Sequence, residues 1–405
     1  MTRHTGAEQA HQEHWARLLA LLTGELRDLD LAEECLQEAF AAAVVQWRAC
    51  PPANPAAWLL TAARRRAVDH RRREETLRRK LPLLIADDWI DGPEESPAIP
   101  DERLRLVFTC CHPALSPQAR IGLTLRCVAG MTVPRIARRL LVAEATMAAR
   151  ITRAKKRIAA AGIPYRVPSA EELPERLAGV LAVVYLIFTE GYAQADADSG
   201  GLAGEAIRLG RLLVELMPGE SEARGLLSLM LLHNSRRNAR TREGKLVLLP
   251  DQDRTLWRRA EIEEGLALLP ERPAGPYGLQ SAIAAEHARA DRADRTDWPA
   301  IARRYAELEE LTRSPVVRLN RAVAVAQIEG PEAALSLLEG LDRLLPRHHL
   351  LPAARADLLR GLGRDAEAVS EYTKALELVE AGVDRDFLLS RRTQAMTRLD
   401  GTAQM

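Results

Sequence analysis

The stretch MTVPRIARRLLVAEATMAARITRAKKRI, residues 131–158, holds eight Arg and Lys residues and one acid, in a chain whose net charge is only +1. Within it Thr146, Arg150, Arg153 and Arg157 recur at spacings of four, three and four, which puts them on one side of a helix, with Lys156 adjoining. Guanidinium groups in such a row can bond phosphate oxygens, or guanine edges in bidentate fashion. Solvated faces normally mix signs, so an excess this large points to a polyanion. Met147, Ile151, Ala154 and Ile158 repeat the same spacing one position on, about 100° around the helix. That apolar stripe is expected to pack inward.

Other reactive residues offer less. Cys110, Cys111 and His112 combine thiols with an imidazole, but tetrahedral metal sites usually space their ligands by two or more residues. Buried free thiols are the expectation for them, and an odd total of five cysteines argues against a disulfide framework. His11 and His14 beside Glu13 lack the spacing of a zinc-protease helix. No nucleophile elbow, P-loop or GxGxxG is present. No catalytic residue, metal or cofactor is expected, and the chain does not read as an enzyme.

The elements that position the basic row follow from local signals. Thr132 is a candidate N-cap and Pro134 is tolerated in the first turn. Ile136, Ala137, Leu140 and Leu141 give a first helix an apolar face. A break at residues 142–144 precedes the second helix. Two short helices so divided describe a helix-turn-helix, whose second helix can enter a major groove. A second basic cluster, TAARRRAVDHRRREETLRRK at residues 61–80, has nine bases and three acids. Trp58 just before it is expected in the core, although an exposed aromatic beside bases can stack on a nucleobase.

Ala and Leu dominate, aromatics are 4 % and apolar spacings of three and four prevail, so the chain reads as all-α. A short extended piece at residues 245–249, KLVLL, is the exception. Residues 87–102 carry seven acids, no bases and three prolines, the composition of an acidic linker. Three prolines also interrupt helix within residues 162–174. The expected organisation is a helical domain at 8–82, a linker at 83–102, a helix-turn-helix domain at 103–165 and a larger helical domain at 170–400. In the last, Gly330 stands 33 residues before Gly363, and Gly363, Ala368, Tyr372 and Ala375 fit a tetratricopeptide (TPR) hairpin, the small residues letting paired helices approach closely. Charge is split: residues 1–168 are net +7 and residues 169–405 net −6. No run of eighteen apolar residues exists and the first fifteen lack a signal-peptide core, so a cytoplasmic protein with no membrane segment is expected.

Residues 31–47, LAEECLQEAFAAAVVQW, followed by NPAAWLLTAARRRAVDHRRR at 54–73, resemble region 2 of bacterial sigma factors. Residues 115–158 resemble region 4. Two regions joined directly by an acidic linker are similar to the extracytoplasmic-function (ECF) branch of the sigma-70 family. The continuation from IPYRVP through LPERLAGVLAVVYLIFTEGYA resembles the subgroup with a TPR-like C-terminal extension. The resemblance implies two partners, core RNA polymerase and promoter DNA. Asp30, Glu33, Gln37 and Glu38 match positions that contact polymerase; Arg64, Arg65, Asp69 and Arg72 lie in the helix that approaches the −10 element. Thr146, Arg150, Arg153, Lys156 and Arg157 would meet the −35 element. The extension is read as a regulatory domain, a place for a regulatory protein. Arg65 stands where the family commonly has Asn, Arg71 where it has an apolar residue, Leu141 near a common Gly and Ala143 near a Ser or Pro. The alternative is a helix-turn-helix regulator that acts without polymerase through a TPR-like interaction domain.

Overall fold

Several helices start at a side-chain cap. Asp28 accepts bonds from the amides of Asp30 (2.8 Å) and Leu31 (3.0 Å), Asn54 from Ala57 (3.0 Å) and Asp297 from Ala300 (2.8 Å). The result, in a computed structural model, is an all-α protein with one two-residue β-ribbon. The structure describes residues 6–47, 52–80, 102–193, 201–242, 245–379 and 382–403. The acidic linker therefore lies outside the described residues except for Glu102, as does Cys50.

The chain divides into two compact units, residues 1–209 and 210–405. The first contains α1 (Gly6–Leu26), α2 (Leu29–Gln46), α3 (Pro55–Lys80), α4 (Glu102–Cys110), α5 (Pro117–Cys127), α6 (Val133–Arg139), α7 (Glu144–Ala160) and α8 (Leu173–Ala193). Helices α1, α2 and α3 pack on one another; α5, α6 and α7 do likewise. Helix α4 packs on both α1 and α5, and α8 on α4 and α5. Trp15, Leu19, Leu22, Leu36 and Leu59 fill the first cluster; Leu104, Phe108, Leu123, Leu125 and Ile136 fill the second. The aromatic deficit is met by close approach. A methyl on Gly122 of α5 would stand 3.1 Å from Met147 Sδ of α7.

The second unit begins inside α9 (Leu202–Leu216) and runs through α10 (Ser221–Ser235), α11 (Arg259–Ala267), α12 (Pro276–Arg289), α13 (Trp298–Thr312), α14 (Pro315–Ala326), α15 (Pro331–Leu338), α16 (Leu350–Gly361), α17 (Asp365–Leu378) and α18 (Val383–Ala403). From α12 onward each helix packs on the next, the one-dimensional logic of a TPR-like stack. Ala356, Ala368, Tyr372 and Ala375 are fully buried between α16 and α17, and the Tyr372 hydroxyl reaches Asp357 at 2.6 Å. Gly330 and Gly363 serve differently from the expectation of close helix approach. A methyl on either would touch little or nothing, but both have positive φ, +91° and +73°, so they make the turns. Close approach falls instead to Gly225 of α10, where an added methyl would meet Gly278 N of α12 at 2.7 Å. The extended piece is shorter than expected: Thr241–Arg242 (β1) pairs antiparallel with Lys245–Leu246 (β2), and β2 packs on α18.

Three histidines are kept neutral. Burial and the Arg126 charge lower His11, stacked 4.7 Å from Trp15, to about 4. Burial, then Arg236 and Arg240, lower His233 to about 3. Burial, then Arg236 and Arg254, lower His287 to about 4. Each folded value lies below the unfolded one of 6.5, so the stabilisation is complete above pH 6.5 and is lost as pH falls towards 4. The expected outcome is a loss of about 2 kcal/mol of unfolding free energy for each of these histidines between pH 7.5 and 5. Denaturant titrations at the two pH values check it; equal stabilities contradict the assignment.

Candidate nucleic-acid interface

Helix α7 sorts its residues as amphipathic spacing requires. Met147, Ile151, Ala154 and Ile158 are all buried. Thr146, Arg153, Lys156 and Arg157 are exposed, and Arg150 is half-buried. The helix before it begins at Thr132, whose extended backbone places it at the N-cap although its side chain makes no capping bond. It ends in a Schellman-type turn. The Leu140 amide bonds Ile136 O at 3.0 Å, and the Val142 amide bonds Ala137 O at 3.0 Å. Leu141 sits in the left-handed position between them, with φ +51°. Expected on the apolar face, Leu141 is instead 84 % exposed, because the turn rotates it out of the helix. Ala143 caps α7 with no side-chain bond, and Glu144 occupies the first turn, where its charge suits the helix dipole.

The other basic surface lies on α3. Arg65 is exposed and lines a groove of about 800 Å³ with Trp58, Thr61, Arg66, Asp69 and His70. Trp58, expected in the core, is half-buried: one edge meets Trp47 at 5.2 Å and the rest borders this groove. Arg64 reaches back to Glu25 of α1 at 3.0 Å, and this bond raises its pKa further. Arg71 donates to Leu26 O at 3.3 Å, so the departure noted at that position helps tie α3 to α1. Arg72 is exposed.

The four acidic and amide residues singled out on α2 do not share one environment. Gln37 is exposed and Glu38 half-buried, paired with Arg66 at 2.8 Å. Glu34, Glu38 and His70 bring three metal-ligand atoms within 4.8 Å of one another, but Arg66 already supplies the cation there. Glu33 is buried. It accepts from Gln37 at 2.7 Å, pairs with Arg126 of α5, and lies 2.5 Å from Lys155 of α7. Lys155 also bonds Asp30 at 2.6 Å. Burial opposes the Lys155 charge, but the Glu33 and Asp30 carboxylates more than offset it and raise its pKa. Trp15 donates to Cys127 O at 3.1 Å, and the Tyr165 hydroxyl donates to Ala20 O at 2.9 Å. The exposed side of α2 is thus Glu34, Gln37, Ala41, Val44 and Val45. The two valines were not singled out in the sequence, although Val45 lies opposite the buried Ala43.

Cys35, Cys110, Cys111 and Cys127 are buried and free. A bond with Cys127 and burial push the Cys110 thiol up, and burial pushes Cys111 up to about 11, so neither is a nucleophile at neutral pH.

A helix-turn-helix with a basic second helix, beside a three-helix cluster whose third helix is basic, defines a helical nucleic-acid-binding protein. Comparison with known proteins makes this specific. Sigma-70 region 2 matches residues 10–76, and Sigma-70 region 4 matches residues 105–158. A family of unknown function (DUF6596) matches residues 176–272. The ECF RNA polymerase sigma factor SigK of Mycobacterium sp. (strain KMS) is 33 % identical over 34 % of this chain and 72 % of its own length. Its counterpart in Mycolicibacterium vanbaalenii is 31 % identical over 34 % and 71 %. "Uncharacterized protein R00370" of Rhizobium meliloti is 46 % identical over 87 % of both chains. Among solved structures, yeast Tom70 aligns over 97 % of this chain and 85 % of its own, with 11 % identity and a TM-score of 0.31. The chain belongs to the ECF sigma factors of the sigma-70 family and carries a helical C-terminal extension. No helix among the described residues is long and apolar enough to cross a membrane.

Leu141 gives a test of the turn. Replacing it by Gly removes the cost of a left-handed non-glycine residue and little buried surface. Leu141→Gly is expected to stabilise the first unit by about 0.5–1 kcal/mol. A lower denaturation midpoint for the variant contradicts this account.

Proposed function

We propose that the chain binds core RNA polymerase and directs it to promoters, with α7 at the −35 element and α3 at the −10 element. The observation that carries this reading is the division of α7. One face is committed to the core by four buried apolar residues, and the other presents Thr146, Arg153, Lys156 and Arg157. Such a helix reads a duplex only from a rigid mount, which α5 and α6 provide. The groove beside Trp58 has two features that suit a single strand, an aromatic face and the exposed Arg65, although Glu38 and Asp69 also line it. Opening the −10 region costs base stacking, which capture of a base there would offset. Arg65, where the family has Asn, adds charge rather than an amide, so phosphate contact is its role in this reading.

Polymerase binding is assigned to the outer side of α2. Gln37 and Glu38 remain of the residues matched by resemblance, joined by Glu34, Val44 and Val45, while Asp30 and Glu33 face α7. The second unit is a regulatory extension in this reading. Its stacked helices offer the kind of surface that recruits a protein partner. Residues 169–405, with a net charge of −6, have no electrostatic attraction to the duplex.

Run-off transcription tests the proposal. Core polymerase alone is expected to give no defined transcript on genomic fragments, and addition of the full chain to give defined starts. Arg153→Ala is expected to lower output about tenfold or more, the worth of one good base or phosphate contact. A chain that yields no transcript from any template removes the reading.

A further inference from the structure

Helix α7 is not basic along its whole exposed side. From Ala143 to Ala149 the chain carries no cation, and Glu144, Ala145, Thr146, Ala148 and Ala149 are all exposed. The exposed cations Arg153, Lys156 and Arg157 come about two turns later, with Arg150 half-buried between the two sets. Ala145 and Ala149 lie nearly opposite the buried stripe of Met147, Ile151, Ala154 and Ile158, and the exposed Thr146 and Thr152 flank them. The outward face therefore runs from methyl groups at the N-terminal end of the helix to guanidinium and ammonium groups behind them. Leu141, 84 % exposed just before the helix, adds apolar surface at the same end.

In a helix-turn-helix the N-terminal residues of the second helix are the ones that meet base edges. Here those residues lack the arginine that pairs with guanine. A phosphate would repel Glu144 in the first turn, so this end is unsuited to the backbone. What it offers is uncharged and small. Thymine displays a C5 methyl in the major groove, and alanine and the threonine methyl are apolar matches for it. Such contact works only at van der Waals distance, and small side chains let the helix come that close.

We propose that α7 reads sequence through methyl groups: Ala145, Thr146 and Ala149 pack on the C5 methyls of thymines in the −35 element, while Arg153, Lys156 and Arg157 grip phosphates without base preference. The inference rests on the −35 reading above and deepens it, because it separates the residues that select a base from those that supply affinity. The cations set how tightly the duplex is held and how strongly salt opposes it. The methyl end sets which duplex is held.

Removal of single methyl groups tests this. Holoenzyme made from core polymerase and the full-length chain first identifies the template with the strongest defined start. Each thymine of its −35 element, on either strand, is then replaced by deoxyuracil, which deletes the C5 methyl and keeps every hydrogen-bonding group. At limiting holoenzyme, output is expected to fall about threefold or more at one or more positions, the worth of one buried methyl. Thr146→Ser deletes the protein's methyl and keeps its hydroxyl. It is expected to cost a similar factor on the thymine template and nothing further on the uracil template at the position it covers. Ala149→Gly is expected to do the same at its own position, at unchanged helix content by circular dichroism. Arg153→Ala is expected to lower output equally on thymine and uracil templates, and to reduce the slope of log affinity against log salt by about one. Uracil templates as active as the thymine template at every position overturn the proposal, as does a −35 element with no A·T pair. So do Thr146→Ser and Ala149→Gly losses that persist undiminished on every uracil template, or an Arg153→Ala chain with an altered base preference. If no template gives a transcript, the polymerase reading falls. The same substitutions are then read as retention, on the immobilised full chain, of duplexes selected from a random pool; retention indifferent to the methyls, or of no duplex at all, overturns the methyl reading as well.

Discussion

The first unit turns on a buried carboxylate. Glu33 cannot sit away from water without cations against it, and the cations at hand come from α5 and α7. That requirement fixes where the helix-turn-helix lies relative to the three-helix cluster. Apolar packing alone tolerates sliding, because it is non-directional. An arginine that bonds a carboxylate and a backbone carbonyl while lying near an indole ring has one acceptable geometry. Trp15 and Tyr165 add two directed bonds to backbone carbonyls across the same junction. The seam therefore specifies an arrangement more than it supplies net stability.

The second unit solves a different problem with the same residue types. With four Phe and six Trp in the whole chain, wide cores between helices cannot be filled by rings. Helices are drawn together instead over Gly and Ala, as at Gly225 against Gly278 and at Ala368 and Ala375. Short spacing between backbones favours successive pairing of neighbours, and that pairing builds a stack. Directed bonds then fix the pairs. The Glu222 carboxylate accepts from the amides of Tyr277 and Gly278, both at 2.9 Å, and so caps α12 from α10. Arg254 closes the other end of α12 by donating to His287 O and Ala290 O while lying over Trp257.

What was legible in the sequence was local. The division of α7 follows from period alone, since Met147, Ile151, Ala154 and Ile158 can share one face only in a helix. The turn residues near 330 and 363 were legible as positions, but not as conformations. Gly is compatible both with close approach and with positive φ, and the structure selects the second. The fate of Glu33 was not legible. Its charge marks it as a surface residue, and its partners stand far along the chain, Arg126 93 residues away. Nothing in residues 30–38 distinguishes Glu33 from Glu34, yet one is buried and the other exposed. Asp30, matched to a polymerase contact by resemblance, is paired with Lys155, 125 residues distant, and that pairing was not legible either.

The helix-turn-helix shows how weak local signals coexist with a well-defined surface. Thr132 and Ala143 provide no side-chain cap, and Leu141 adopts a backbone conformation that favours Gly. On local signals alone these two helices are poorly delimited, and an isolated helix of seven residues such as α6 is marginal in water. Their order comes from the buried stripe of α7 against α5 and from Ile136 and Ala137 beneath α6. A row of arginines repels itself, and only an apolar face on the same helix can hold it to the protein while leaving it open to a polyanion. The positive surface therefore exists because four uncharged residues one position along the helix are buried, and its stiffness is set by packing that nucleic acid never touches.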